Sequence, residues 1–366
     1  MKPFNSEVAS KVEWLRDALS ETGAKGVLLR GTDWFAWATA GGSNTVLLTA
    51  ETGVGEVLVT ADNVWVLTDE IEAQRLQDEE LPQNFELYVQ PWADAGARQS
   101  FIQDATEGGK ILSDRPSLDQ APLPLSLVNH KRVMLPTELE RYRQVGRLAS
   151  EAMTEVLSKA EPTWTEYQLA GAGAAALWAR GLHPALTLVA GERRLPLYRH
   201  ATPSAEPIGA IAMMVFCARG YGLYANLTRF VSFTNLETQN FASLHRDVRE
   251  VEAAALNQCQ PGISLSEVYQ TLAQAYEQYA YPQAILQHHQ GGTTGYLARE
   301  VVANPTTSDL LTANMAVAWN PSLPGAKIED TFVISEDGKL ENLSFDPNWP
   351  SVKVEGRDRP IPLELG

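Results

Sequence analysis

The chain has 366 residues, of which 44% are hydrophobic and 20% charged, a balance typical of a globular protein with a sizeable core. At roughly 150 residues per domain, this length favours two domains. The formal net charge of −16 argues against a nucleic-acid partner, because phosphate binding requires a basic surface. The longest apolar run is about half of the ~20 residues that a membrane-spanning helix needs, so we expect no membrane partner.

The two cysteines, Cys217 and Cys259, lie in apolar or helical contexts and form no CxxC motif. We therefore expect no structural disulfide and a reducing compartment. The N-terminal segment reads as an amphipathic helix containing acidic residues and lacks the apolar core of a signal peptide. These features predict a soluble cytoplasmic protein.

The first 130 residues predict an α/β domain with a mixed sheet. The periodicity places apolar residues on one face of a helix over 5–22, and glycines end that helix. The elements expected after it are a strand at 26–30, a helix from Thr32 or Asp33 to Gly41, strands at 45–50, 55–61 and 63–69, a helix at 70–77, a strand at 85–90, a helix at 95–106 and a strand at 110–114.

A capping-box pattern, Pro136-Thr137 followed by Glu140, marks the start of a second domain. From there the pattern predicts two helices, a hairpin, two more helices and a closing hairpin, which suggests a duplicated unit (137–235 and 236–340) around a central antiparallel sheet. We place the domains at 1–133 and 134–345, followed by an acidic, proline-rich tail at 346–366.

The hairpin at 208–230 is the expected floor of a functional site, because residues near the ends of adjoining strands can converge on one pocket. His200 lies in a loop that approaches this hairpin. His288 and His289 precede a glycine-rich loop that can approach a ligand closely. His245 and His130 are interpreted as surface residues.

Three further polar residues stand out within apolar strands. Glu329 needs a partner if it is buried, so a functional or ion-pair role is favoured over a solvated one. Arg229 could hold a carboxylate or form a structural salt bridge. Asn320 follows an apolar strand. A dinuclear metal site requires several carboxylates, and these strands offer only Glu329 clearly. The residues alone therefore predict no metal and no other cofactor.

Several segments together resemble the pita-bread metallopeptidase family, which includes aminopeptidase P, proline dipeptidase, methionine aminopeptidase and the metal-free creatinase. The resemblance covers nearly the whole chain. It rests on the segments TELERYRQVGRLASEAM, PTWTEYQLA, LYRHATP, YANLTRFV, PGISLSEVY, GGTTGY, NMAVAWNPS and KIEDTFVIS. It implies an α/β (α+β) fold, with a creatinase-type N-terminal domain and a pita-bread domain whose curved antiparallel sheet is flanked by helices. It also implies a homodimer.

The resemblance places the five metal-ligand positions of the family at Val215, Asn226, Gly292, Asn320 and Glu329. Only the last of these is a typical ligand of that family, so four of the five ligands are expected to be absent. A different register of the loop 288–295 would bring a histidine closer without restoring the carboxylates.

Other positions match the part of the family's pocket that faces the substrate. His200 matches a histidine that contacts the substrate, and His288 and His289 precede the glycine loop. Arg299 and Glu300 fall where the family often has His-Glu. We therefore expect His200, His289 and Glu329 as catalytic candidates. The substrate-binding candidates are His288, Arg229, Asn226, Asn320 and Glu300.

Three functions remain open at the level of sequence. The first is a metal-independent homologue that binds a small peptide, amino-acid-like or amidine-type ligand, or hydrolyses it by a creatinase-like mechanism. In that mechanism His200 or His289 would be the base, and Glu329 or Glu300 the orienting acid. The second is a non-catalytic binding or scaffold protein. The third is a Xaa-Pro metallopeptidase, if the alignment of the ligands is wrong.

Overall fold

The computed structural model describes residues 6–83, 85–94, 96–117, 119–234 and 241–365. The chain divides into two compact units, Met1–Glu138 and Leu139–Gly366. Each unit has its own sheet structure and its own core.

The first unit is an α/β domain built on a six-stranded mixed sheet in the order β4-β3-β2-β1-β5-β6. Strands β1, β2 and β3 are antiparallel neighbours, whereas β4, β5 and β6 each join a parallel partner. Its elements are α1 (Ser6–Thr22), β1 (Gly26–Gly31), α2 (Thr32–Ala38), β2 (Thr52–Val59), β3 (Val64–Asp69), α3 (Ala73–Arg75) with a π-helical turn (Leu76–Glu80), β4 (Glu86–Gln90), α4 (Ala97–Ala105), β5 (Ile111–Ser113), β6 (Gln120–Pro122) and α5 (Leu125–Arg132).

The prediction of a strand at 45–50 is wrong. This segment consists of turns and bends, and Val46 and Leu47 are 60% and 65% exposed. Strand β1 is already hydrogen-bonded by β2 on one side and by β5 on the other, so no edge is left for another strand. The turn expected at 51–55 instead belongs to β2. The helix expected at 70–77 begins later, at Ala73, and passes into the π-helical turn.

The second unit combines antiparallel sheets with helices. Its elements are α6 (Pro136–Leu157, which begins in the first unit), α7 (Glu166–Trp178), β7 (His183–Gly191), β8 (Ile211–Gly220), β9 (Leu223–Ser232), α8 (Phe241–Gln258), α9 (Leu265–Gln278), a 3₁₀ turn (Ala284–Leu286), β10 (Gly291–Thr294), β11 (Val301–Val302), β12 (Ala316–Trp319), β13 (Ser322–Leu323), β14 (Ala326–Lys327), β15 (Asp330–Ile334), β16 (Leu340–Asn342), β17 (Ser351–Val354), β18 (Arg357–Pro360) and β19 (Leu363–Glu364).

Capping boxes fix the starts of two of these helices. The Thr165 side chain accepts from the backbone N–H of Gln168, whose side chain in turn accepts from the backbone N–H of Thr165. Ser264 and Glu267 make the equivalent pair at α9. These reciprocal bonds satisfy N–H groups that a helix cannot satisfy internally. They fix the starts of α7 and α9 at Glu166 and Leu265.

Two mainly antiparallel sheets form the centre of the second unit. One has the order β19-β9-β8-β7 and packs with α6 and α7, and the other has the order β11-β10-β12-β15-β16 and packs with α8 and α9. They meet where β9 passes β15. There the Thr228 N–H donates to the Glu329 carbonyl over 3.0 Å, and the Asn226 N–H donates to Thr331 Oγ1 over 2.8 Å. The segment around Glu329 therefore lies at the junction of the two sheets.

The segment expected to be a tail is part of the fold. It forms β17, β18 and β19, and β19 pairs in parallel with β9. Arg359, from β18, is completely buried and bonds both carboxylate oxygens of Glu252 at 2.6 and 2.7 Å. Its guanidinium also lies 2.9 Å from Asp330 Oδ2. The segment thereby anchors the buried charges next to the sheet junction.

Candidate functional site

The predicted hairpin is present and forms one wall of a buried polar site. Strands β8 and β9 pair continuously, with Val215 opposite Thr228 and Cys217 opposite Asn226. The turn between the strands places Tyr221 and Gly222 at φ of 51° and 78°. Positive φ at both central residues is the geometry of a tight hairpin turn that matches the twist of the strands. The hairpin thus brings its side chains beside Glu329.

Glu329 is the centre of a cluster of charges. Its side chain is 2% exposed, and its carboxylate forms an ion pair with the Arg299 guanidinium. Lys327 Nζ lies 3.8 Å from the other carboxylate oxygen, to which Thr228 Oγ1 donates over 3.3 Å. Burial lowers the pKa of Lys327, while the Glu329 carboxylate opposes that shift. Two basic side chains therefore neutralise the one buried carboxylate.

Three histidines converge beside this cluster. His200 comes from the loop after β7, and His288 and His289 come from the segment before β10. The Nε2 atoms of His200 and His288 are 2.9 Å apart, and the rings of His288 and His289 stack with centroids 4.4 Å apart. One ring nitrogen from each residue lies within 4.8 Å of the others. The sequence predicts these histidines individually, and the fold brings them together.

The environment keeps these imidazoles neutral. Burial, together with the nearby Lys327, lowers the pKa of His288 to about 2. Burial and the neighbouring Arg299 lower the pKa of His289 to about 4. The pKa of His200 is also lowered, first by burial and then by Lys327. At neutral pH the cluster therefore offers lone pairs rather than positive charge.

The remaining positions near the junction carry amide, apolar or glycine residues. Asn226 Nδ2 donates to Thr294 Oγ1 over 2.9 Å, and its Oδ1 has no hydrogen-bond partner among the described residues. The same holds for Asn320 Oδ1. Val215 packs in an apolar cluster. At Gly292 a Cβ atom would come within 2.0 Å of the Val301 carbonyl oxygen, so the backbone there admits no side chain.

Cys217 lies on β8 opposite Asn226 and is a free thiol. Burial raises its pKa to about 12, and Glu329 contributes to the rise. A thiol with such a high pKa remains protonated at neutral pH and is a poor nucleophile or metal ligand. Cys217 therefore adds no reactive group to the site.

A small cleft lies next to this site and shares Lys327 with it. The cleft has two basic side chains, Arg199 and Lys327, and a hydroxyl, Ser322 Oγ, that lacks a partner within the described part of the chain. Its volume of about 10 Å³ accepts roughly one water-sized group. The other lining residues are mostly apolar: Leu195, Tyr198, Met213, Phe230, Leu323 and Ala326.

Two of the expected binding residues have structural partners. Arg229 is 4% exposed, and its guanidinium bonds Asp330 Oδ1 at 2.8 Å and the Ser344 carbonyl at 3.1 Å. This is the structural salt bridge that the sequence left open as the alternative. Glu300 accepts from the backbone N–H of Leu297 over 3.1 Å, so its carboxylate helps to shape the loop before β11.

The interpretation of His245 as a surface residue is wrong. It is 5% exposed, and its ring meets Phe230 edge-on at 4.4 Å. Burial lowers its pKa to about 3. His130 is exposed, in line with the prediction, and stacks on Trp14.

The sequence reasoning did not select Lys327 and Arg299 as site residues. Lys327 stands two residues before Glu329 in the same apolar segment, so the burial argument applied to Glu329 also pointed to it. Arg299 is separated from Glu329 by thirty positions. It lies in the loop between β10 and β11, and only the fold brings this loop to Glu329, which directly precedes β15; local sequence carries no signal of that contact.

The described residues include no helix that is long and apolar enough to cross a membrane. A mixed-sheet α/β unit followed by joined antiparallel sheets carrying paired helices is the pita-bread architecture of a peptidase class. Residues 140–336 match the model of metallopeptidase family M24. The chain belongs to this family.

Solved structures show the same fold over nearly the whole chain. The Xaa-Pro dipeptidase from Bacillus anthracis is 18% identical with a TM-score of 0.75, covering 93% of this chain and 98% of that one. A dipeptidase from Pyrococcus horikoshii OT3 is also 18% identical with a TM-score of 0.76, covering 92% and 98%. The N-terminal domain of the FACT complex subunit SPT16 from Cicer arietinum is 13% identical with a TM-score of 0.72, covering 94% and 97%. No curated protein sequence matches.

Proposed function

We propose that this protein is a pita-bread homologue that works without the dinuclear metal centre of its family and binds a small peptide or amino-acid-like ligand through the ligand's carboxylate. The observation that carries this proposal is the neutralisation of Glu329 by Arg299 and Lys327. The Glu329 carboxylate, already paired with two cations, is a poor ligand for divalent ions, and the net positive charge around it favours an anionic group.

The residues present do not fit a dinuclear centre. Such a centre needs several carboxylate or imidazole ligands around two ions. The resemblance places its ligands at five positions, and Val215 and Gly292 cannot coordinate an ion through a side chain. Asn226 and Asn320 offer neutral amide oxygens, and Glu329 is already paired. We therefore derive no catalytic step through two metal ions.

The small cleft supplies the features that a carboxylate needs. Arg199 and Lys327 provide positive charge, and Ser322 Oγ provides a free hydroxyl donor. Hydrogen bonds to charged groups are stronger than neutral ones, especially where water is excluded. With a volume of about 10 Å³, the cleft admits one oxygen-sized group, so it would take a single carboxylate oxygen while the rest of the ligand lies outside it. The unpartnered amide oxygens of Asn226 and Asn320 can accept hydrogen bonds from ligand N–H groups.

An amidine-type ligand fits this arrangement less well. It would need a free carboxylate, and the carboxylate of Glu329 is occupied by two cations. Placing a third cation near Lys327 and Arg299 would add repulsion in a partly desolvated site. The similar protein named as a FACT complex subunit is described by its assembly, not by a peptidase activity.

Calorimetric titration with a panel of dipeptides tests the proposal. A dipeptide with a free carboxylate should bind, and its C-terminal amide should bind at least tenfold more weakly, since a hydrogen bond to a charged group contributes about 1.5–3 kcal/mol. Lys327→Met should weaken binding of the free acid to a similar extent. Lys353→Met is the matched control, because Lys353 is an exposed lysine paired with Asp358 on β18. Equal binding of acid and amide would contradict the proposal.

Metal-independent hydrolysis is the second candidate function, and the convergence of His200, His288 and His289 beside Glu329 favours it. A histidine base acting on water contributes about 10²–10⁴-fold to the rate. If the protein hydrolyses a peptide or amidine, His200→Ala should lower kcat by that factor, and unchanged activity would reject His200 as the base. The lowered pKa of His289, about 4, makes it a weak base at neutral pH, so binding is the better-supported function.

A further inference from the structure

We propose that His200, His288 and His289 form a binding site for a single transition-metal ion, with Zn²⁺ as the best fit. This site is distinct from the ligand positions that the family resemblance implies, none of which is one of these histidines. It departs from the sequence-based expectation of no metal. It does not depend on the proposed peptide ligand, because the imidazoles alone supply the metal ligands.

The geometry of the cluster is close to that of a three-histidine site. Zn²⁺ binds imidazole nitrogen at about 2.0–2.1 Å, which in tetrahedral coordination separates the nitrogens by roughly 3.3 Å. The Nε2 atoms of His200 and His288 are 2.9 Å apart, and the three ligand atoms lie within 4.8 Å of one another. A shift of one ring by roughly 1.5 Å would bring all three nitrogens to bonding distance. Such a shift is within reach of loop side chains.

The hydrogen bonding of the three histidines also leaves ring nitrogens available to bind a metal ion. His289 Nδ1 is buried and has no hydrogen-bond partner among the residues described. A buried nitrogen without a partner costs free energy that a metal ion would recover. His200 and His288 can only share one proton between their facing nitrogens, and a metal ion would satisfy both lone pairs. Because their lowered pKa values keep the imidazoles unprotonated, a metal ion does not have to displace protons from them.

The surrounding charges define the rest of the coordination. Three neutral imidazoles leave the charge of the ion uncompensated, and Lys327 and Arg299 add to the positive potential. Glu329 reduces it only in part. The fourth position of the ion therefore favours an anion, either hydroxide or a carboxylate, over a neutral ligand. His200 is exposed, so an anion can reach this position from solvent.

Metal titration of the full-length protein tests the inference. The protein is first dialysed against chelator, then against metal-free buffer, and titrated with Zn²⁺, with Co²⁺ as a spectroscopic probe. We expect one equivalent to bind, visible absorption bands typical of tetrahedral Co²⁺, and a higher thermal midpoint. His288→Ala and His289→Ala should each weaken binding by at least about 10–100-fold, the loss seen when even outer partners of a metal site are removed.

Two controls separate this site from other possibilities. His183→Gln alters a half-buried histidine on β7 that lies outside the cluster, with its ring centroid 5.0 Å from that of Trp178, and it should leave the metal affinity unchanged. Asn320→Ala alters a position implied by the family resemblance and should also leave it unchanged. Circular dichroism verifies that each variant is folded. Metal binding that survives in the folded His288→Ala/His289→Ala protein, or no binding to the wild type, would overturn the inference.

Discussion

The ion pair between Arg299 and Glu329 is the residue-scale contact that most restricts what this pocket can do. Removing one partner from a buried ion pair is strongly destabilising, because it leaves an uncompensated charge. A divalent ion at Glu329 would have to displace Arg299 and also overcome the repulsion from Lys327. In the proposed function, single side chains rather than the fold are what distinguish this protein from a dinuclear peptidase.

His245 gives a prediction for the dependence of stability on pH. Its pKa is about 3 in the folded protein, against about 6.5 when unfolded. Below pH 6.5 the unfolded state binds a proton that the folded state excludes, so this histidine destabilises the fold as the pH falls toward 3. Between pH 7 and pH 5 the loss should be about 2 kcal/mol.

Urea unfolding at the two pH values measures this effect. His245→Gln should reduce the difference in the free energy of unfolding between pH 7 and pH 5 by about 1–2 kcal/mol. The slope of the free energy against urea should match that of the wild type, so that the comparison concerns stability alone. An unchanged pH dependence in the variant would show that His245 is not the titrating group.

Predictions for single residues succeeded where the neighbouring residues in the sequence contained the physical reason. Glu329 lies among apolar neighbours, which already indicated a buried carboxylate that needs a partner. The failure at His245 has a tertiary cause, since its charged helical neighbours suggested a surface position and the Phe230 ring on β9 covers it. The three histidines were each identified, but their convergence depends on two loops 88 residues apart.

At the scale of elements, the close contact between α7 and β8 depends on the glycine- and alanine-rich face of the helix. A Cβ atom on Gly173 would lie 2.9 Å from Phe216 Cε1 and 3.0 Å from Met214 Sδ. A Cβ atom on Gly171, in the same helix, would meet nothing within 4 Å. Of these two glycines, Gly173 is therefore the one that permits the close approach of α7 to β8.

These two glycines form a matched pair for mutation. Gly171→Ala should stabilise the protein by about 0.5–1 kcal/mol, because alanine is the better helix former. Gly173→Ala should destabilise it by about 1–2 kcal/mol, since overpacking of about 1–3 kcal/mol outweighs the same helical gain. Chemical denaturation of both variants tests the contrast. Equal stabilisation by the two substitutions would mean that β8 moves away from α7 without a measurable cost in the free energy of folding.

The segment 45–50 shows why an apolar run does not always predict an element. Its composition favours a strand, yet both edges of β1 are already taken by β2 and β5. Asn44 instead fixes the loop, with its carbonyl accepting from the Val54 N–H over 2.8 Å and its side chain donating to the Gly55 carbonyl over 2.7 Å. Which strands pair depends on tertiary contacts, and the local sequence pattern does not contain that information.

At the scale of the whole molecule, the fold and the function depend on different features of the sequence. Motifs spread over the chain predicted the pita-bread architecture, and the match to family M24 confirms it. The function depends on which side chains stand at the junction of β9 and β15. There the structure places a paired carboxylate, two cations and three neutral histidines. On this basis we propose that the fold supports binding chemistry here without dinuclear hydrolysis.

Turnover of a Xaa-Pro dipeptide panel in saturating Mn²⁺, Co²⁺ or Zn²⁺, with metal content measured on the same sample, tests the central claim most directly. We predict no hydrolysis above the protein-free control and no more than one bound equivalent, which is lost in His288→Ala/His289→Ala. Two bound equivalents, together with metal-dependent turnover that Glu329→Gln abolishes, would contradict the claim and show that this protein is an active metallopeptidase.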